Sequence, residues 1–418
     1  MSKKSLNMAK KAPEYITECI KVDKLIPGGQ ALGTLADGKK IFLWNALPGE
    51  IVTKAIVAKE KASFVEAIAV EIEQESKRRV SPKDECYLST SPWQIFNYDY
   101  ELSEKRELVR EVFRQQNIEF GGVKTRGESE SFALEIAETR TDGREYYYRN
   151  KMEYALYYSH EDQKIYPAFR TRGSHSKVAV RGSSLERPEI FAKAEEIVSD
   201  LNIRDEEARK YQSILLRANQ AGEVSGGLLE NHHPHPQFVQ LKDKILGREY
   251  TYSPNGFFQI NLPVYELALA EIAKWAQDEN VLDLYAGVGT IGLSVARDKK
   301  LTLVECDKAA YREMERNCQG TGAHPVLAKS EEALGYIHPD QTVILDPPRA
   351  GCRPELIERL LEEQPNRVIY LSCNPATQAR DVAMLLKHYR PLAVMPFNFF
   401  PRTPHIENLV VLERKNAA

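Results

Sequence analysis

The residue best suited to act as a nucleophile is Cys373, which ends an apolar run and stands just before Asn374 and Pro375. The run, residues 367–371, predicts a buried strand of a parallel sheet, and Pro375 cannot continue a sheet ladder. Side chains at the carboxyl ends of such strands face the crevice where α/β folds bind ligands. A thiolate there could form a covalent intermediate, whereas most lone cysteines are small buried apolar residues. The spacing by itself leaves both interpretations open.

Two carboxylates hold similar positions at strand ends. Asp346 follows the apolar residues 343–345, and the two prolines after it fix the turn, so we expect Asp346 to face the same crevice as Cys373. Glu407 stands just before residues 409–412, which predict a last strand. Apolar surroundings would raise the pKa of Glu407 and suit it to proton transfer, and a surface glutamate is the alternative.

A glycine-rich turn precedes these residues in the chain. Gly287 and Gly289 lie between a predicted strand, residues 281–285, and a predicted helix, residues 291–297. Glu305 ends the next strand, about 20 positions later, where a carboxylate can accept hydrogen bonds from ribose hydroxyls. The pattern fits nicotinamide dinucleotides and S-adenosylmethionine. The third glycine of the dinucleotide fingerprint and the lysine of a phosphate-binding loop are missing, which favours a ligand with a ribose and no phosphate.

The elements that must position these side chains form one predicted α/β domain, residues 256–418. Strands and helices alternate along it, which predicts a Rossmann-like, doubly wound sheet. Two further helices are predicted at residues 354–363 and 377–388, on either side of the strand that precedes Cys373.

The first predicted domain, residues 13–72, alternates short β-like runs with turn signals such as Pro48-Gly49. Several short strands in about 60 residues predict a small closed β-barrel of the OB type. Lysines recur along the segment, which fits either an RNA-binding barrel or an ordinary solvated surface. The strands are predicted at residues 41–44, 51–57 and 64–70.

Between the two lies a predicted β-rich central domain, residues 73–255. Its amphipathic helix, residues 100–116, is expected to pack on the α/β domain. Residues 163–185 contain no acidic residue but carry Arg170 and Arg172 among aromatic side chains. Basic residues mixed with aromatics suit a surface that follows an RNA backbone and stacks on bases, and a charged loop face is the alternative.

Composition indicates a protein of a reducing cytoplasm, expected as a monomer. The 418 residues carry a net charge of −3, so attraction to nucleic acid must come from local patches. No apolar stretch reaches membrane-spanning length, the start lacks the apolar segment of a signal peptide, and the 6 cysteines form no CxxC pair. Prolines interrupt His232-His233-Pro234-His235-Pro236, so we predict a polar loop there and no metal site.

Taken together, the motifs resemble those of the RNA 5-methyluridine methyltransferases. The start of the chain resembles the TRAM domain, an RNA-binding barrel, and with the pair Tyr148-Arg149 the resemblance spans nearly the whole chain. The matching segments are Phe257-Phe258-Gln259-Ile260-Asn261, residues 283–290, Leu345-Asp346-Pro347-Pro348-Arg349-Ala350-Gly351, Ser372-Cys373-Asn374-Pro375 and His405-Ile406-Glu407.

The resemblance implies a mechanism. Cys373 adds to C6 of uracil, and the negative charge that builds on C5 and O4 lets C5 take the methyl group of S-adenosylmethionine. Glu407 then removes the C5 proton and Cys373 is expelled. The target base is first turned out of folded RNA. The implied methyl-donor and uracil residues are Gln259, Tyr285, Gly287, Thr290, Glu305, Ser330 and Asp346, and the implied RNA-binding residues are Phe257, which would stack on the base, Arg149, Lys151, Arg170 and Arg172.

One departure concerns the [4Fe-4S] cluster that many members of this family hold with four cysteines. Cys86 could be the first ligand, but the next two positions hold Pro92 and Ile95, and the fourth falls near Ser183-Ser184. One thiol cannot hold a four-iron cluster, so we predict no iron-sulfur centre.

The leading interpretation is therefore methylation of uridine C5 in RNA. Ribosomal RNA, most specifically 23S rRNA, is favoured over tRNA because the bacterial tRNA branch of the family typically lacks the barrel. A methyltransferase acting on an exocyclic amine would also carry the Asp-Pro-Pro motif but would need no cysteine. A non-catalytic RNA-binding protein is the third alternative, and it would not require Cys373, Glu407 and Asp346.

Overall fold

The computed structural model describes residues 14–122, 130–173, 176–204, 207–232 and 236–415. The chain divides into two compact units. The barrel unit contains the chain up to Ser81 together with Ile95–Asn97, and the main unit contains Pro82–Gln94 and the chain from Tyr98 onward. The predicted central and α/β domains thus belong to the same unit, and the boundary between them at residue 255 stays a prediction. Residues 233–235 of the histidine segment lie outside the described residues.

The barrel unit is a closed sheet whose predicted strands are all present. Strand β5 pairs with both β2 and β6, which closes the sheet, and β1 adds to the edge of β5. Ile41 and Leu43, alternate residues of β4, are buried, as expected for strands with one face inside a barrel. The strands are β1 (Tyr15–Ile16), β2 (Ile20–Leu25), β3 (Ala31–Thr34), β4 (Lys40–Trp44), β5 (Ile51–Glu60) and β6 (Phe64–Gln74).

The first part of the main unit is built on a five-stranded antiparallel sheet. Its strand order is β11-β10-β9-β12-β13, and α3 packs on one face, burying Ile190 and Val198 beside Tyr154. The elements are α1 (Tyr87–Thr90), α2 (Tyr98–Gln115), β7 (Ile118–Phe120), β8 (Glu130–Phe132), β9 (Lys151–Ser159), β10 (Lys164–Arg170), β11 (Lys177–Ala179), α3 (Pro188–Ile203), β12 (Tyr211–Ala218) and β13 (Val224–Glu230).

The rest of the main unit is a seven-stranded sheet with order β18-β17-β16-β19-β20-β22-β21. β22 is antiparallel to both of its neighbours, β20 and β21, and the other six strands run in the same direction. The elements are β14 (Leu241–Ile245), β15 (Arg248–Tyr252), α4 (Leu262–Trp275), β16 (Asn280–Leu284), α5 (Thr290–Val295), β17 (Lys300–Glu305), α6 (Lys308–Asn317), β18 (His324–Leu327), β19 (Gln341–Leu345), α7 (Pro354–Glu363), β20 (Arg367–Ser372), α8 (Pro375–Leu385), β21 (Tyr389–Phe397) and β22 (Glu407–Arg414).

The strand order reverses direction at β16, which lies between β17 and β19. Crevices at such switch points, outside the carboxyl ends of the strands, are where open α/β sheets bind ligands. β16 ends one residue earlier than predicted, because Tyr285 takes a left-handed conformation with φ 63° as the chain enters the glycine turn. Helix α5 is also shorter than predicted and ends at Val295. Among the described residues, no helix combines the length and the apolar character needed to cross a membrane.

Candidate active site

Cys373 and Glu407 meet because β20 and β22 pair in antiparallel register. Leu371 pairs with Leu409 and Ser372 pairs with Asn408, so the register places Cys373 opposite Glu407 at the carboxyl end of β20. Cys373 is half-buried and Glu407 is only 4% exposed. The nucleophile and the base that the sequence suggested therefore lie side by side in the crevice.

Asp346 adds a third acidic group to the same place. It follows β19, the parallel neighbour of β20, and burial raises its pKa to about 7. Burial, with the charges of Glu407 and Asp346, raises the pKa of the Cys373 thiol to about 11, against the influence of Arg349. Burial and Asp346 also hold the pKa of Glu407 well above its ordinary value, as expected from the sequence. Three acids this close cannot all ionise easily, so the crevice favours a ligand that brings positive charge.

Arg349 and His405 are site residues that sequence reasoning did not single out. An Nη2 atom of Arg349 lies 2.8 Å from Nδ1 of His405, and Asn374 donates to the backbone oxygen of Arg349 at 2.8 Å. Desolvation, followed by the positive charges of Arg349, Lys105, Arg149 and Arg172, lowers the pKa of His405 to about 4. A neutral imidazole can accept a hydrogen bond, so we assign Arg349 as the donor. The signal that could have found Arg349 is a cation three positions after Asp346.

Glu305 holds the glycine turn at the switch point. Its Oε2 accepts from the backbone N–H of Gly287 at 2.8 Å, and its Oε1 accepts from Asp307 at 2.6 Å. Each carboxylate oxygen keeps a second lone pair for a ligand. Gly287 has φ 56°, and a side chain built there would meet no atom within 4 Å, so open space lies beside the turn. The turn and Glu305 can therefore accommodate a ribose.

A second carboxylate, Asp283, fixes the turn from the inside and was not predicted as a site residue. Its Oδ2 accepts from the backbone N–H of Gly292 at 2.8 Å, and burial raises its pKa to about 7. A Cβ atom at position 292 would lie 2.8 Å from the same oxygen, so the contact requires glycine. An acidic residue inside an apolar strand is the sequence signal for such a role.

The remaining residues predicted to bind the methyl donor are buried or half-buried. Tyr285 donates from its hydroxyl to Oε1 of Glu331 at 3.0 Å, and burial raises its pKa; the hydroxyl also interacts with Ser330, which is buried. Thr290 is the buried first residue of α5. Gln259 is buried as well, and its backbone oxygen accepts from Nδ2 of Asn150 at 3.0 Å.

Some of the predicted RNA-binding residues have exposed side chains, and others form hydrogen bonds within the protein. Phe257 is 71% exposed, which leaves its ring available for stacking. Lys151 donates from Nζ to the backbone oxygens of Asn255 at 3.2 Å and Gly256 at 3.0 Å, and burial lowers its pKa to about 8. The Lys151 ammonium therefore braces the turn before Phe257.

The three arginines of the RNA-binding set lie in two places. Arg149 donates from Nε to the backbone oxygen of Lys151 at 3.0 Å, and Arg172 bonds from Nε to the backbone oxygen of Leu88. The positive charges of both contribute to the lowered pKa of His405. Arg170 is exposed at the end of β10.

The residues at the positions of the cluster cysteines do not fit an iron-sulfur centre. Gln94 donates from Nε2 to Asp84 at 3.0 Å, to Ser91 at 2.7 Å and to Ser184 at 3.3 Å. Asp84 also accepts from the hydroxyl of Ser183 at 3.1 Å and from the backbone of Ser184 at 3.0 Å. Within the described ranges, no group of three or more histidine, cysteine, aspartate or glutamate side chains is arranged to hold a metal ion.

Comparison with known proteins gives similarity along the chain. Residues 336–415 match the family described as tRNA (uracil-5-)-methyltransferase. An uncharacterized RNA methyltransferase of Lactobacillus johnsonii is 27% identical over 90% of this chain and 94% of its own length. Another uncharacterized RNA methyltransferase, from Enterococcus faecalis, is 26% identical over 97% of this chain and 99% of its own length.

Among solved structures, the fold is similar to that of the Pyrococcus abyssi tRNA (uracil-54, C5)-methyltransferase in complex with S-adenosyl-L-homocysteine. The two share 23% sequence identity and a TM-score of 0.71, over 94% of this chain and 100% of that chain. The predicted fold class, a Rossmann-like methyltransferase sheet with a small amino-terminal β-barrel, is thereby confirmed.

Proposed function

Because the chain is an RNA methyltransferase of the uracil-C5 family, we propose that it methylates uridine through a covalent adduct between Cys373 and C6, with Glu407 as the base. The family reaction transfers a methyl group from S-adenosylmethionine to C5 of a uracil in RNA. C5 is a weak nucleophile, so the reaction needs a group that pushes electrons into the ring. The observation that carries the proposal is the register that sets Cys373 opposite Glu407 in one crevice.

Cys373 must lose its proton before it can add to the ring. The thiol pKa of about 11 disfavours the thiolate in the ligand-free crevice, and Arg349 is the neighbouring charge that favours it. The sulfonium of S-adenosylmethionine would bring a second positive charge to a place that holds Asp346 and Glu407. Binding of the methyl donor would therefore lower the thiol pKa and couple activation of the nucleophile to the presence of the second substrate.

Glu407 is suited to the proton removal that follows methyl transfer. Its raised pKa makes its carboxylate a stronger base than an exposed glutamate. Once Glu407 has taken the C5 proton, the electrons of that C–H bond re-form the C5–C6 double bond and the Cys373 thiolate leaves. Arg349, beside the sulfur, can offset the negative charge that develops on the ring.

The donor would lie at the switch point beside the glycine turn. Glu305 would accept from the ribose hydroxyls, Gly287 leaves the space that the ligand needs, and Tyr285, Thr290 and Ser330 would complete the pocket. Gln259 and Asp346 would hold the uracil edge or the methyl donor. Phe257 would stack on the extruded base, while Arg149 and Arg172 would face the RNA backbone and Lys151 would hold the turn that carries Phe257.

We favour 23S ribosomal RNA as the substrate, on the strength of the lysine-bearing barrel. Transfer RNA is the second candidate, because the solved protein of similar fold acts on tRNA and the matching family is described for tRNA. The experiment is mass spectrometry of 5-methyluridine in separated 23S rRNA and tRNA after incubation with the purified protein and S-adenosylmethionine. Both RNAs would come from cells that lack the gene. Methylation of tRNA alone would reject the ribosomal assignment, and no methylation of either would reject the function.

We also propose that the protein works without an iron-sulfur centre. Cys86 is the single thiol at the four cluster positions, and burial raises its pKa, which disfavours the thiolate that a metal needs. The amide of Gln94 and the carboxylate of Asp84 link α1, the chain around Ser91 and the chain around Ser184. These hydrogen bonds would perform the structural task of a cluster.

A further inference from the structure

A groove lies on the five-stranded sheet of the main unit, outside the crevice. It encloses about 960 Å³ and is bordered by side chains from β9, β10, β11 and the start of β12. The lining residues that matter here are Tyr157, Tyr158, Arg170, Lys177 and Arg209. Arg170 is one of the RNA-binding residues that the family resemblance implies, and the other four have no role in the reaction proposed above.

The charges of the groove are arranged for an anion. Arg170 and Lys177 pair directly opposite each other across β10 and β11, and like charges in that position repel. Among the described residues, neither makes an ion pair with a carboxylate; Lys177 donates instead to the backbone oxygen of Leu156 at 2.9 Å. The acidic residue of the lining, Glu207, pairs with Arg209 at 2.8 Å. A positive groove in a chain whose net charge is −3 needs a negatively charged partner to relieve the repulsion.

One exposed ring of the groove can stack on a base. Tyr157 is 36% exposed and pairs with Tyr166 across β9 and β10, so its ring lies on the same face of the sheet as Arg170 and Lys177. Tyr158, the next residue of the strand, points to the opposite face, where its ring contacts His160 edge-on, with centroids 5.1 Å apart. Exposed aromatic rings beside arginine and lysine are the combination that binds unpaired nucleotides, since rings stack on bases while cations follow the phosphates.

One residue of the groove lies close in the chain to Arg172. Arg170 lines the groove, and Arg172, two residues later, bonds from Nε to the backbone oxygen of Leu88 and helps by its charge to lower the pKa of His405. His405 in turn contacts Arg349 at 2.8 Å, beside Cys373. An RNA strand whose target base enters the crevice could therefore extend its neighbouring nucleotides over Arg172 and Arg170 into the groove.

We propose that this groove binds the unpaired nucleotides that flank the target uridine. The inference rests on the proposed function, because it takes RNA as the substrate. Tyr157 stacks on a base, and Arg170 and Lys177 hold two phosphates. A duplex would keep its bases stacked on one another and could not use the ring, so the occupant is single-stranded RNA.

The test measures binding of a fluorescein-labelled oligouridylate of about 15 nucleotides by anisotropy at several salt concentrations. The variant Arg170→Gln/Lys177→Gln should weaken binding and reduce the slope of log K against log salt by about 1.4, since each phosphate contact on a single strand contributes about 0.7. The variant Tyr157→Thr should weaken binding about fivefold or more with little change in the slope.

The matched control is Lys274→Gln/Lys300→Gln, which removes two cations whose side chains are 66% and 74% exposed. It should bind like the unmodified protein. Binding of both groove variants within twofold of the control would overturn the proposal, as would failure of the unmodified protein to bind the oligouridylate at low salt. All variants would first be checked by thermal unfolding and by binding of S-adenosylmethionine. Anisotropy does not depend on methyl transfer, so loss of the proposed function and loss of the groove would be seen separately.

Discussion

Lys105 of α2 donates a hydrogen bond from Nζ to Oδ1 of Asn398 at 2.6 Å, joining residues almost three hundred positions apart in the chain. The same ammonium pairs with Glu101 at 3.1 Å, and both side chains are fully buried. Glu101 also accepts from the backbone N–H of Arg402 at 3.0 Å. This pair thereby holds the loop that leads from β21 to His405 and Glu407.

Removal of one partner of this buried pair should be costly. We expect Lys105→Met to lower the free energy of unfolding by about 3 kcal/mol, because it removes the nearer of the two cations that pair with buried Glu101, the other being Arg402 at 3.7 Å. Urea unfolding measures the change. The control is Lys193→Met, which breaks an exposed pair with Glu196 on α3 and should change stability by less than about 0.5 kcal/mol. A Lys105→Met variant as stable as the control would show that the pair does not anchor the loop.

Replacement of the nucleophile should stop the reaction at its first covalent step. We expect Cys373→Ala to reduce methylation by about 10³-fold or more and to abolish the adduct with 5-fluorouridine RNA, seen as a shifted band on a denaturing gel. Cys19→Ala, which changes an exposed thiol of the barrel unit, should keep both activities. Full methylation by Cys373→Ala would instead favour an amine methyltransferase.

Replacement of the base should trap the intermediate. Glu407→Gln should still add Cys373 to the ring and transfer the methyl group, yet fail to remove the C5 proton. Turnover should therefore fall by about 10²–10⁴-fold while a methylated protein–RNA adduct accumulates with ordinary uridine RNA. Glu413→Gln is the matched control, because Glu413 lies on the same strand and makes ion pairs with Arg367 and Arg390. An absence of adduct with Glu407→Gln would assign proton removal to another group.

Two of the charged neighbours of Cys373, Asp346 and Arg349, should change its reactivity in opposite directions. The thiol pKa is raised to about 11, so thiolate increases as pH rises through the alkaline range. Asp346→Asn removes a negative charge and should shift alkylation of Cys373 by iodoacetamide to lower pH. Arg349→Met removes a positive charge and should shift it to higher pH. Mass spectrometry of the Cys373 peptide gives the rate at each pH. Asp340→Asn, an exposed change, should leave the profile unaltered.

The hydrogen bonds around Gln94 should contribute more to the stability of the protein than any bound metal. Gln94→Ala removes the acceptor of the backbone N–H groups of Lys83 and Asp84 and one of the donors to the Asp84 carboxylate, which should lower the free energy of unfolding by about 1–3 kcal/mol. Gln115→Ala, at the exposed end of α2, should change it by less than about 0.5 kcal/mol. An iron chelator should leave thermal unfolding unchanged. Iron in the purified protein, lost together with stability, would contradict the proposal.

Strands could be predicted from the sequence because buried strands are rich in apolar residues. Residues 41–44, 281–284 and 409–412 all lie in strands for this reason. The limits of α5 and the left-handed turn at Tyr285 were missed, since they depend on how the glycine loop is held by Asp283 and Glu305.

Contacts between residues far apart in the chain could not be predicted from the sequence pattern. In an amphipathic helix Glu101 and Lys105 read as solvent-facing charges, and their burial follows from a loop near residue 400. The contact of Cys373 with Glu407 likewise depends on strand register, which the resemblance implied but no local pattern contained. Lys151 is the opposite case. A basic residue is suited to binding phosphate, but the Lys151 ammonium donates hydrogen bonds to the backbone carbonyls just before Phe257.

The assembly of Gln94, Asp84, Ser91 and Ser184 has a consequence for how the protein is made. A prosthetic cluster has to be manufactured by other proteins, delivered and protected from oxidants. Amide, carboxylate and hydroxyl groups come with the polypeptide and associate as it folds. If the protein works without a cluster, as proposed above, it would mature in iron-starved or oxygen-exposed cells with no dedicated supply machinery.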